Sequence, residues 1–189
     1  MRVISGSCKG RPLKPVPGNQ TRPTTDKVKE TIFNIIGPYF QGGQALDLYG
    51  GSGALGIEAL SRGMEKAIFI DRSALALQTI RQNLSICGLI ASAAVYRNDA
   101  HRALRLLKKK NESFDLIFLD PPYKEARLRR DLGAIAKLEI LNPHGLIVTE
   151  HDAELNLPER LTETIERWKH QTYQSHTAVT IYLNRGGAI

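Results

Sequence analysis

Asp120-Pro121-Pro122-Tyr123 is the segment of this chain best equipped to grip a planar amine. It follows the apolar run Leu116-Ile117-Phe118-Leu119, which reads as a buried strand of a parallel sheet. A carboxylate, a rigid carbonyl and an aromatic ring therefore stand at the carboxyl end of a strand, the edge where open α/β sheets bind ligands. An exocyclic amino group is a poor nucleophile, because its lone pair is delocalised into the ring. Hydrogen bonds from its two N–H groups to the Asp120 carboxylate and the Pro121 carbonyl favour a pyramidal nitrogen that can attack an activated carbon. Tyr123 would stack on the base, worth about 1–3 kcal/mol. A base inside a duplex cannot reach such a pocket, so the target is unpaired or flipped out. The competing reading is a plain strand-ending turn. The acidic residue before Pro-Pro and the aromatic after it favour a site.

A second constellation supplies the other reactant. Gly51-Ser52-Gly53-Ala54-Leu55-Gly56 matches G-x-G-x-x-G between a strand and a helix, and Asp71 lies twenty residues beyond Gly51. Taken alone this is a dinucleotide fingerprint, in which backbone at Gly51, Ser52 and Gly53 approaches the ligand and Asp71 accepts both ribose hydroxyls. Asp47 argues against a pyrophosphate, which its carboxylate would repel. It would attract a cation instead, and S-adenosylmethionine carries both an ammonium and a sulfonium. Asp47 could also organise the loop by accepting backbone N–H groups, and the two roles are compatible. Asp99 and Ala100 follow the third strand, where a carboxylate could accept from an adenine amino group. An N-cap for the next helix is the stronger reading of Asp99 by itself.

The elements that position these residues alternate regularly. Residues 2–14 read as a short hairpin with Gly6 and Gly10 near its turn. A loop through 19–24 leads to a helix capped by Thr25 or Asp26, with Val28, Ile32, Ile35 and Ile36 on one face. Gly37-Pro38 ends it. Strands are expected at 45–48, 67–70, 94–97, 116–119 and 146–149, each of the first four followed by a helix. Such βαβ repetition implies right-handed crossovers and a parallel sheet covered on both faces. A last helix is expected over 158–168, then two close strands, 171–173 and 178–183, which must be antiparallel. The expectation is an α/β, doubly wound, mostly parallel seven-stranded Rossmann-like sheet with an antiparallel C-terminal hairpin. One domain spans 1–189, with a basic arm at 1–24 and the core at 25–189.

Charge is concentrated at one end. Of the net +7, residues 1–29 carry +6: Arg2, Lys9, Arg11, Lys14, Arg22, Lys27 and Lys29 against Asp26 alone. A basic, Gly- and Pro-rich arm on a nearly neutral body suits a polyanion such as RNA better than it suits a solvated tail. Arg102, Arg105, Lys108, Lys109 and Lys110 read as a solvated helix end more readily than as a second RNA surface. Arg127, Arg129 and Arg130 follow the tetrapeptide and favour a phosphate role. Neither a membrane-spanning run nor a signal peptide is evident, and Cys8 and Cys87 make no disulfide framework, which fits a cytoplasmic protein. The histidines, His144 and His176 included, show no metal-ligand spacing.

The ordered motifs at Asp47, Gly51–Gly56, Asp71, Asp99 and Asp120–Tyr123 resemble those of class I S-adenosylmethionine-dependent methyltransferases. Arg2-Val3-Ile4-Ser5-Gly6, Lys9-Gly10-Arg11, Arg22-Pro23-Thr24-Thr25-Asp26, Glu30-Thr31-Ile32-Phe33-Asn34 and the run 51–63 are similar to the RsmD family, which methylates N2 of a guanine in bacterial 16S rRNA. The resemblance implies S-adenosylmethionine contacts from Asp47, Gly51, Ser52, Gly53, Asp71, Asp99 and Ala100. It implies target-base contacts from Asp120, Pro121, Pro122 and Tyr123, with Arg22 and Thr24 at the mouth. RNA phosphates fall to Arg2, Lys9, Arg11 and Lys14, and the expected partner is 16S rRNA or the small ribosomal subunit, bound by a monomer. Asp71 stands where many relatives have glutamate, and Gly50 where alanine is frequent. Three rivals remain: an adenine-N6 methylase, a dinucleotide-dependent oxidoreductase that leaves Asp47 unexplained, and a non-catalytic RNA-binding assembly factor.

Overall fold

The computed structural model describes residues 1–18, 25–121, 125–173 and 176–186. The backbone divides into two units, 1–99 and 100–189.

In the first unit, the helix α1 (Asp26–Ile36) starts where Thr25 Oγ1 accepts the Val28 N–H at 3.3 Å. It buries Lys29, Ile32, Phe33 and Ile36, so a lysine shares the core face with the apolar residues. Strand β1 (Gln44–Asp47), helix α2 (Ala54–Ser61), strand β2 (Lys66–Asp71), helix α3 (Ala74–Cys87) and strand β3 (Ala93–Arg97) follow. The strands pair in parallel in the order β3-β2-β1. Every residue of α2 is buried, including Glu58 and Ser61. A helix buried all round needs cover on its outer face, and the amino-terminal arm provides it. Ser7 N–H donates to the Ser61 carbonyl at 2.8 Å, and Val3, Cys8 and Leu13 of the arm are buried. The expected hairpin reduces to one antiparallel bridge, Arg2 with Pro12, supported by Val3 N–H to Arg11 O at 2.9 Å and Leu13 N–H to Met1 O at 3.1 Å.

The second unit holds α4 (Ala100–Lys109), β4 (Phe114–Leu119), α5 (Glu125–Leu138), β5 (Leu141–Asp152), β6 (Ile165–Tyr173) and β7 (Thr177–Asn184). β4 and β5 are parallel, β5 with β7 and β7 with β6 antiparallel, in the order β4-β5-β7-β6. The seven strands form the mixed sheet that the sequence predicts.

The helix expected over 158–168 is absent: β6 already begins at Ile165. Leu157, Leu161 and Ile165 imitate a helical stripe by their spacing, but the threonines decide otherwise. Thr162 Oγ1 accepts the N–H groups of Thr164 and Ile165 at 3.2 and 2.9 Å, diverting them from helical bonding. Leu161 N–H donates to Ile165 O at 2.9 Å and Arg167 N–H to Glu159 O at 2.7 Å, folding the segment back on itself. Among the described residues no helix is long and apolar enough to cross a membrane.

Candidate active site

The glycine turn is tied to the sheet by backbone. Gly50 N–H donates to Ile70 O at 2.8 Å and Gly53 N–H to Gly50 O at 2.6 Å. Gly53, with φ +80°, opens α2 and brings no side chain to cap it. A Cβ on Gly56 would lie 2.3 Å from the Phe69 ring, so only glycine lets α2 pack this closely on β2. Gly50 would tolerate alanine, because an added Cβ would press at 2.8 Å only on the movable tip of Ile80.

Asp47 ends β1 beneath this turn and is 3% exposed. Its Oδ2 accepts the Gly56 N–H at 3.2 Å, which satisfies one donor in the first turn of α2. The loop-organising role is therefore real. Burial pushes the Asp47 carboxyl up to about 7, the Asp71 charge adds to that, and the Gly56 hydrogen bond opposes it. Its Oδ1 makes no hydrogen bond among the described residues. A buried carboxyl with a raised pKa and an uncommitted oxygen is ready for a cation, which would restore its ionisation.

Asp71 has a backbone role beside the one expected of it. Both oxygens already accept backbone N–H groups: Oδ2 from Gly51 at 2.9 Å and Oδ1 from Ser73 at 2.8 Å. Through these two bonds Asp71 organises the turn. One lone pair per oxygen remains for a ribose hydroxyl. Asp99 is exposed and immediately precedes α4, the position of an N-cap, and its N–H donates to Asn98 Oδ1 at 2.9 Å. Ala100 is buried at the start of α4.

In the second unit, Asp120 and Pro121 follow β4 and are half-buried, as a strand-end site requires. Pro122, Tyr123, Arg22 and Thr24 lie outside the described residues. Two exposed arginines of α5 also have protein partners. Arg129 donates to the Asn156 carbonyl, and Arg130 reaches Asp131 at 3.3 Å.

Side chains of the arm's Arg2, Lys9, Arg11 and Lys14 are exposed, while its backbone is held by residues that the motifs overlook. Glu58 is the hub. Its carboxylate accepts the N–H groups of Ile4 at 2.8 Å and Ser5 at 3.0 Å, and it meets Arg62 Nε at 2.7 Å and the Lys29 ammonium at 3.5 Å. Lys29 donates to the Arg2 carbonyl, and Arg62 donates to Pro38 O at 3.0 Å while covering the Phe33 ring. Burial lowers the Lys29 pKa and Glu58 opposes that shift. Ser61 Oγ donates to Ser5 O at 2.6 Å and accepts the Cys8 N–H at 2.9 Å. A glutamate inside the otherwise apolar run 54–60, four residues before an arginine, was the available signal.

Three comparisons agree. A family model described as conserved hypothetical protein 95 matches residues 1–183. YlbH of Bacillus subtilis (strain 168), provisionally named an rRNA methyltransferase, is 56% identical over 186 residues, covering 98% of this chain and 100% of its own. The ribosomal RNA small subunit methyltransferase D of Escherichia coli (strain K12) is 35% identical over 159 residues, 84% of this chain and 78% of its own. A solved structure of yhhF from Escherichia coli, provisionally named a methyltransferase, superimposes with a TM-score of 0.83 at 29% identity, covering 97% of each chain. From its glycine turn to its docked arm, the chain belongs to the conserved hypothetical protein 95 family.

Proposed function

We propose that this protein is a cytoplasmic, monomeric, S-adenosylmethionine-dependent methyltransferase that modifies the exocyclic N2 amine of a guanine in 16S rRNA. The observation that carries the reaction class is Asp47, a buried carboxyl with one uncommitted oxygen set under a glycine turn. It fits a cationic adenosyl ligand and disfavours a pyrophosphate. The substrate class rests on kinship with methyltransferases named for ribosomal RNA.

Bound S-adenosylmethionine supplies a methyl group activated by its sulfonium. Asp47 would hold the cationic end, the Gly51–Gly53 backbone would line it, and Asp71, already fixed by two backbone N–H groups, would accept from the ribose. Asp99 and Ala100 would meet the adenine. Asp120 and the Pro121 carbonyl would accept the two N–H groups of the guanine amine, directing its lone pair away from the ring. Tyr123 would stack on the base. Arg2, Lys9, Arg11 and Lys14 would meet phosphates, with Arg22 and Thr24 at the entrance. The protein's own work is positioning and charge placement.

Asp120→Ala tests the division of labour. Methyl transfer should be abolished while S-adenosylhomocysteine still binds with its wild-type Kd. Loss of that binding would mean that Asp120 belongs to the cofactor site.

A further inference from the structure

The basic arm and the glycine turn share a buried clamp. Asn83 lies on α3 with 0% exposure, on the same stripe as Ile80 and Leu84. Its Oδ1 accepts the Lys14 N–H at 2.8 Å, and its Nδ2 donates to Lys14 O at 3.0 Å and to Ser52 O at 2.8 Å. Both amide hydrogens and the carbonyl oxygen are thus engaged. A buried amide on an apolar stripe is costly without such bonds, and an aliphatic residue would suit the core as well. Ser52 is gripped a second time, because its Oγ donates to Met1 Sδ at 3.7 Å. Lys14 keeps its side chain in solvent. Backbone that would face the cofactor and backbone that would carry an RNA-binding cation therefore meet on one side chain.

We infer that Asn83 is a positioning residue that couples the cofactor to the RNA, so that occupancy of the glycine turn strengthens RNA binding by the arm. The inference rests on the methyltransferase reading above. Asn83 touches neither ligand. A ligand that orders the turn at Ser52 orders Lys14 through the shared amide, so RNA binding no longer bears that part of the ordering cost. Linkage makes the effect reciprocal.

The test uses the full chain, S-adenosylhomocysteine as an inert ligand, and an unmodified 16S rRNA fragment at fixed salt. In the wild type, saturating S-adenosylhomocysteine should tighten the RNA Kd by about fivefold or more. In Asn83→Leu that ratio should fall to near one, although each ligand still binds by itself. Amide hydrogen exchange gives a reading that needs no variant: S-adenosylhomocysteine alone should slow exchange at Lys14. A wild-type ratio of one with unchanged exchange at Lys14, both ligands binding, overturns the coupling and leaves the methyltransferase reading intact. A purely structural role would weaken both ligands in Asn83→Leu and keep the ratio, which also overturns it. Failure of S-adenosylhomocysteine to bind the wild type overturns both.

Discussion

Asp47→Asn sets two demands on one buried carboxyl against each other. Its pKa is about 7 in the fold against 3.8 for an ordinary aspartate, so the folded chain holds a proton that the unfolded chain has lost. A difference of about 3 units corresponds to about 4 kcal/mol as a ceiling. Below the unfolded value both states are protonated and nothing is lost. As pH rises through the window between the two values, the folded state falls behind, and the loss is complete above the folded value. Asparagine keeps an acceptor for the Gly56 N–H, 3.2 Å away in the wild type, and never ionises. The variant's stability relative to wild type should therefore climb between pH 4 and pH 8. With a urea slope of about 2 kcal/mol per molar, the climb is a midpoint gap of about 1–2 M at pH 8. Urea unfolding without ligand, at several pH values, measures it. Cofactor binding should move the other way: losing a charged partner costs about 1.5–3 kcal/mol, or about ten- to a hundredfold in Kd. A stability difference that stays flat with pH would refute the buried, protonated carboxyl. Undiminished cofactor binding by the variant would remove Asp47 from the ligand site.

Other perturbations test the arm. Glu58→Gln leaves Lys29 and Arg62 buried without their carboxylate and should cost about 3–5 kcal/mol in urea unfolding; a cost under about 1 kcal/mol would show that the cluster is not held together by that charge. Gly6 has φ +84°, and an added Cβ would fall 1.8 Å from the Ser61 carbonyl. Gly6→Ala should accordingly speed amide exchange at Val3 and Gly10 while leaving β2 protected, and global loss of protection would contradict a local docking role. Replacing Lys9 and Arg11 with alanine should flatten the salt dependence of RNA binding by about 1.4 in log–log slope if the contacted strand is unpaired. An unchanged slope would reduce these cations to solvated residues.

The βα alternation was legible because each parallel strand is a short apolar run and the helices close at glycines such as Gly37 and Gly88. The strand-end positions of Asp71 and Asp120 followed directly from those runs, whereas Asp47, expected within a strand over 45–48, ends β1. What stayed hidden was chemistry directed at backbone. Ser61 and Asn83 bind N–H and C=O groups that every sequence displays, so no partner residue marks them, and Glu58 was marked only by its place in an apolar run four residues before Arg62. A second role of Asp71 stayed hidden for the same reason: its oxygens meet the N–H groups of Gly51 and Ser73, which no pattern advertises. The segment 158–168 misled because apolar spacing suggested a helix while Thr162 captured the backbone locally.

The most direct test is identification of the methylated nucleoside. The protein is incubated with labelled S-adenosylmethionine and unmodified small ribosomal subunits, free 16S rRNA or duplex DNA, and the nucleic acid is digested and resolved. The account predicts label in N2-methylguanosine from 16S rRNA or the subunit. Label in N6-methyladenine, or no label in any substrate, would contradict it.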